Sequence, residues 1–98
     1  MAYLIRIYDK PDAAALRAAT RAAHLAYLRP FIPRILAAGG FLEDDGSLGP
    51  GGMIVFDTDD RAEAEQLAAH DPYNLAGVFE RVEIRRWRKV IFNGAAAL

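Results

Sequence analysis

Apolar and polar positions alternate from the start of the chain. Tyr3, Ile5 and Ile7 point one way and Leu4, Arg6 and Tyr8 the other, which is the period of a strand. Asp9-Lys10-Pro11-Asp12 closes that strand as a turn, and Asp12 or Lys10 is placed to cap the alanine-rich turns that follow. The period then changes. Leu25, Leu28, Ile32, Ile35 and Leu36 recur at helical spacing, with Thr20 as a second N-cap that opens this longer helix. Pro30 and Pro33 fall inside the pattern, so one of them kinks or restarts the helix, and Gly39-Gly40 ends it. Phe41-Leu42-Glu43 reads as a short strand, and residues 44–52 as a mobile hairpin loop rich in Gly, Asp, Ser and Pro. Residues 53–56 are apolar on both faces, the mark of a central strand. Thr58-Asp59-Asp60 starts a second helix, with Asp59 as its cap. Ala62, Ala64, Leu67 and Ala68 carry its buried side, and Glu63 and Glu65 face solvent. That helix stops near His70, because Pro72 lacks an N–H and disfavours helical geometry at Asp71. Residues 79–89 form the last strand, and the tail from Asn93-Gly94 is expected to fray.

The order is β-α-β-β-α-β, an α+β, ferredoxin-like pattern in which both helices cover one face of an antiparallel sheet. Alternation leaves Leu4, Arg6, Tyr8, Arg85 and Trp87 on the other face. That face is half apolar, half charged, and too aromatic to sit comfortably in water. A second sheet packed against it is the economical solution, so a two-fold homodimer is expected. No repeat or linker divides the chain: residues 1–92 make one domain and 93–98 a short tail.

Composition narrows the function classes. A chain of 98 residues supports one modest core and often gains stability by oligomerising. The formal charge of −1 carries no basic excess for nucleic acid. Arg85-Arg86-Trp87-Arg88-Lys89 looks basic, but alternation splits it between two faces. With no cysteine, disulfides, thiolate nucleophiles and zinc–thiolate sites are excluded. No N-terminal stretch reads as a signal peptide or membrane span, so a cytoplasmic protein without a membrane partner is expected.

Few residues are left to do chemistry. Asp71 sits at the forced break before Pro72, where it either caps the following turn or serves a site. His24 lies at the edge of the apolar helix stripe, on one arc with Leu28, Phe31 and Ile35. Alone it reads as a core-edge histidine. Given a carboxylate partner, it becomes a proton carrier, because the carboxylate fixes the tautomer and supports charge on the ring. Asp71 is the best candidate, since both helices lie on the same side of the sheet. Arg6 either holds an anionic ligand or pairs with Glu83 or another carboxylate across the sheet. Tyr73 and Phe79 either line a pocket or fill the core. His70 points away from Asp71 and reads as exposed. His24, His70 and Asp71 lack the i, i+4 spacing of helical metal ligands, so no metal or other cofactor is expected. Gly49-Pro50-Gly51-Gly52 has no following lysine or helix and is no phosphate loop.

Several of these stretches together carry a resemblance. Residues 21–28 (RAAHLAYL), Ala38-Gly39-Gly40, Ala68-Ala69-His70-Asp71-Pro72-Tyr73, Ala76-Gly77-Val78-Phe79 and Arg86-Trp87-Arg88-Lys89 are similar to the YCII (YciI-like) family. The likeness runs from Tyr3 to about Phe92. Its most specific parts are the helix His followed by Leu, the Asp-Pro-Tyr, and the Trp-containing ending. Gly39-Gly40-Phe41 and Gly52-Met53 depart from the usual pattern. The resemblance implies a dimeric α+β barrel, with His24 and Asp71 matching a His–Asp dyad. It also implies acid–base chemistry on a small-molecule ligand, since a relative eliminates chloride from a chlorinated hydroxyhydroquinone. Three readings stand at this point: an acid–base enzyme of lyase type, a binding module for a small molecule, and a structural dimer in which His24–Asp71 clamps a helix end.

Overall fold

The computed structural model describes residues 1–97. Strand β1 (Ala2–Asp9) leads through a turn to helix α1 (Ala14–Leu28) and a 3₁₀ segment, Arg29–Arg34. Strands β2 (Ile35–Leu42) and β3 (Leu48–Phe56) form a hairpin. Helices α2 (Arg61–Ala69) and α3 (Pro72–Leu75) follow, then β4 (Phe79–Trp87) and a small hairpin, β5 (Ile91–Phe92) and β6 (Ala95–Ala96). The main sheet is antiparallel with strand order β2-β3-β1-β4, which is the ferredoxin-like arrangement.

The alternation in β1 sets the layers. Tyr3, Ile5 and Ile7 are buried with Ile54 and Phe56 against Leu28, Ala64, Leu67 and Ala68 from the two main helices. Leu4, Arg6 and Tyr8 face the other way, half-buried, beside Met53 and opposite Arg85, Glu83 and Arg81. Small residues let the strands approach: a Cβ on Gly52 would overlap the Gly39 carbonyl oxygen, and one on Gly51 (φ +80°) that of Ile7.

The first helix departs from its expected shape. It is one helix, and Thr20 lies in its middle, donating its hydroxyl back to the Leu16 carbonyl at 2.7 Å. Neither Asp12 nor Lys10 caps it. Asp12 takes a left-handed φ of 60° in the turn, so the N-cap position falls on Ala13, whose side chain has nothing to offer. The apolar stripe also ends early. Arg29–Arg34, with Pro30 at its start and Pro33 inside, winds as 3₁₀, which changes the phase of the helix. Ile32 is therefore exposed, Leu25 is already exposed within α1, and Ile35 and Leu36 belong to β2.

Other boundaries shift for similar reasons. Gly39-Gly40 does not stop a helix but lies within edge strand β2, opposite Met53 and Gly52. The loop expected at 44–52 is mostly strand, leaving a short turn in which Ser47 donates its N–H to Asp45 Oδ1. Asp60, not Asp59, caps α2 by accepting the Ala62 N–H at 2.9 Å, while Asp59 pairs with the N-terminal ammonium at 3.0 Å. Glu63 is only half-exposed, because Arg34 holds it. Strand β4 ends at Trp87, two residues short of Lys89. The expected fraying after Asn93 is replaced by the β5–β6 hairpin, whose turn residues Asn93 and Gly94 both have positive φ (52° and 75°).

Candidate active site

The break before Pro72 does two jobs. Asp71 is extended (φ −60°, ψ 130°), and its Oδ1 accepts the Tyr73 N–H at 2.9 Å, capping α3. The same carboxylate, 1% exposed, lies 2.9 Å from His24 Nδ1 through each of its oxygens. A carboxylate accepts only, so the shared proton sits on Nδ1, and in the neutral ring that leaves the lone pair on Nε2. His24 sits on the third turn of α1, and α1 packs on α3, which brings together two residues 47 positions apart. The imidazole stacks on Tyr73, with ring centroids 4.0 Å apart and planes 19° apart. Nε2 is not sealed in: Asp9 Oδ1 is the one buried side-chain polar atom without a partner among the described residues.

Tyr73 connects the pair to a cleft of about 720 Å³. The cleft lies between the β1–α1 turn, the outer side of α1 and residues 48–50 of β3, and Tyr73 forms part of its wall. Burial, the largest influence, raises the Tyr73 phenol pKa; Arg17 and Arg21 act against it and Asp71 with it. Arg17 lies over the Tyr73 ring, 4.4 Å from guanidinium carbon to centroid, and its Nε donates to Asp9 Oδ2 at 2.8 Å. Asp71 also adds to the rise in the Tyr27 phenol pKa, which burial chiefly causes; that hydroxyl donates to the Leu67 carbonyl at 3.0 Å.

The residues singled out from sequence thus divide. His24, Asp71 and Tyr73 come together. Phe79 supports them from the core, 6.2 Å from the Tyr73 ring and 6% exposed, and it does not line the cleft. Arg6 lies on the opposite face of the sheet. It does not pair with Glu83, although the two are in register: its guanidinium stacks between Tyr8 and Phe41, at 4.2 and 4.3 Å, and Glu83 takes Arg81 at 3.5 Å. His70 is exposed. Among the described residues no group of three or more His, Cys, Asp or Glu is placed to hold a metal ion. Asp9, Arg17 and Arg21 were not anticipated. The available signal was the spacing Arg17, Arg21, His24, which sets three polar side chains on one face of an alanine-rich helix.

Comparisons with known proteins bear on the family and the fold. The chain matches the YCII-related domain over residues 1–88. It is 34% identical over 97 residues to the protein YciI of Escherichia coli O6:H1, covering 92% of this chain and 99% of that one, and equally to YciI of Shigella flexneri. Among solved structures it resembles 5-chloro-2-hydroxyhydroquinone dehydrochlorinase (TftG) from Burkholderia phenoliruptrix AC1100, in complex with 2,5-dihydroxybenzoquinone. The TM-score is 0.81 at 30% identity, covering 90% of this chain and 94% of that one. A Bacteroides thetaiotaomicron protein provisionally named an antibiotic biosynthesis monooxygenase shares the fold at 15% identity, with a TM-score of 0.54 over 95% of this chain and 91% of that one.

Proposed function

Since this chain belongs to the YCII-related domain family, we propose that it is a small acid–base enzyme of lyase type. His24 is the proton carrier, and Asp71 is its orienting partner. The substrate is a small cyclic or aromatic molecule, and elimination of a leaving group such as halide is the reaction. The working form is a homodimer, and the compartment is the cytoplasm, in keeping with a chain that has no cysteine and, among its described residues, no helix long and apolar enough to cross a membrane.

One observation carries the reading: His24 Nδ1 is held 2.9 Å from a buried carboxylate while Nε2 is left free. In the elimination, Nε2 takes a proton from the substrate. The electron pair of the broken bond forms the new double bond, and the leaving group departs with the pair of its own bond. The imidazolium that results is stabilised by Asp71 and returns its proton to solvent. Tyr73 keeps the ring in place by stacking and lines the way to the cleft. The dehydrochlorinase suggests the first substrate to try, 5-chloro-2-hydroxyhydroquinone. Chloride release should fall by about 10²–10⁴-fold in His24→Ala, the usual contribution of a positioned acid or base. Full turnover in that variant would overturn the dyad.

The second reading is a non-catalytic binding module. Its support is that Tyr73, and neither His24 nor Asp71, belongs to the cleft wall. Ligands that bind tightly, with no chemical change over many hours, would favour it.

A further inference from the structure

We infer that Asp9 is a specificity residue: it reads a hydroxyl donor on an anionic ligand held in the cleft by Arg21. This rests on the cleft being the ligand site of the proposed enzyme, but its test needs no turnover.

The Asp9 side chain is 4% exposed. One oxygen accepts from Arg17 Nε at 2.8 Å. The other is buried, and no protein donor meets it. A buried acceptor left unmet is costly, and more so when it is charged, so such an atom calls for an explanation. Beside the Arg17 guanidinium the carboxylate is an acceptor only, and it can be satisfied only by a group that brings a hydrogen. Asp9 borders the cleft, which makes a ligand there the source of that hydrogen.

The rest of the wall says what else the ligand carries. Arg21 lines the cleft and has no carboxylate within ion-pair distance among the described residues. Arg17 is already matched by Asp9, which leaves Arg21 and Lys10 as the wall's cations without an ion pair among the described residues, against the carboxylate of Asp12; of the two, the Arg21 guanidinium is the one with a fork of donors suited to an anionic oxygen. Pro11, Ala14, Ala18, Leu48 and Pro50 give the cleft an apolar lining suited to a flat body. At about 720 Å³ it lies within the range of small-molecule sites. The ligand is therefore a small anion whose hydroxyl lies apart from its charged group.

Benzoates supply the probes. Titration calorimetry with benzoate, 3- and 4-hydroxybenzoate and their methoxy counterparts separates the charge from the donor. In the wild-type protein at least one hydroxybenzoate should bind about tenfold more tightly than its methoxy counterpart, as a hydrogen bond to a charged group implies. Asp9→Asn should erase that ratio. The Asn carbonyl must face Arg17, which turns the amide donor toward the ligand. Arg21→Ala should weaken every benzoate together, whatever its substituent. No hydroxyl preference in the wild-type protein, or no binding of any benzoate, overturns the inference, and neither result depends on whether a variant folds. A preference that survives Asp9→Asn in a folded protein also overturns it. His24→Ala keeps the two ideas apart: turnover that persists there sinks the dyad and leaves the hydroxyl preference standing.

Discussion

Asp71 fills two places that simple substitutions can separate. It caps α3 through the Tyr73 N–H, and it holds His24. Asp71→Asn keeps an oxygen for the cap and loses the charge, whereas Asp71→Ala loses both. In urea titrations Asp71→Ala should cost about 1–3 kcal/mol, from the lost cap and the unpaired imidazole, and Asp71→Asn less. Both should lose turnover. If either variant unfolds and no ligand is ever found, the pair is better understood as a clamp between α1 and α3. The pairing was legible in the sequence only with the family resemblance beside it: Pro72 forces a break at Asp71 and His24 sits at a stripe edge, but taken alone the two read as a cap and a core-edge histidine. Arg6 was not legible in the same way. Register placed it opposite Glu83, yet a guanidinium gains by lying flat on Tyr8 and Phe41, and sequence position says nothing about that choice.

At the scale of elements, the chain was readable where its period is simple. β1 and the core of β3 follow directly from alternation and a continuous apolar run. The segment from Leu28 to Leu42 was not readable, because two prolines convert the helix into a 3₁₀ turn and the apolar spacing carries on by coincidence into a strand. Gly39 and Gly52 illustrate the difference. Both look like loop glycines, but they lie in paired strands, Gly39 in β2 opposite Met53 and Gly52 in β3 opposite Gly40. Gly52→Ala should destabilise by about 1–3 kcal/mol, since its Cβ overlaps the Gly39 carbonyl and backbone must shift. Gly39→Ala meets nothing within 4 Å and should stay within about 0.5 kcal/mol of the wild type. Equal urea midpoints for the two variants would contradict this account. A second test concerns the tie between the 3₁₀ segment and α2. Arg34 and Thr58 hold the Glu63 carboxyl below its ordinary pKa. A group whose pKa is lower in the folded state adds stability above its unfolded value, about 4.3, and that contribution is lost as pH falls through the folded value. The stability difference between the wild type and Glu63→Gln, measured at 150 mM salt, should therefore shrink on acidification below about pH 4.3. A difference that stays constant down to pH 2 would show that Glu63 contributes by packing alone.

For the whole molecule, the decisive feature is that the helices cover only one side of the sheet. An antiparallel sheet can leave its second face in water when that face is polar. Here it is mixed. Leu4, Met53 and Trp87 are half-buried, Arg6 lies between Tyr8 and Phe41, and the Arg81 guanidinium rests 3.8 Å from the Tyr8 ring centroid. The guanidiniums keep their charge while covering the rings, so the face is part apolar and part cationic. Two copies related by a two-fold axis would bury the apolar centre and let Glu83 of each meet the arginine excess of the other. Light scattering at micromolar concentration should give twice the chain mass. Tyr8→Glu should give the monomer, because it adds a charge to the face and removes the ring that Arg6 and Arg81 lie over. Its far-UV circular dichroism should stay native, since Tyr8 points away from the helix-side core. A wild-type monomer with this face bare would rule the assembly out. A Tyr8→Glu dimer would instead move the interface elsewhere, with the exposed Leu42 and Leu48 pair at the β2–β3 hairpin as the next surface to test.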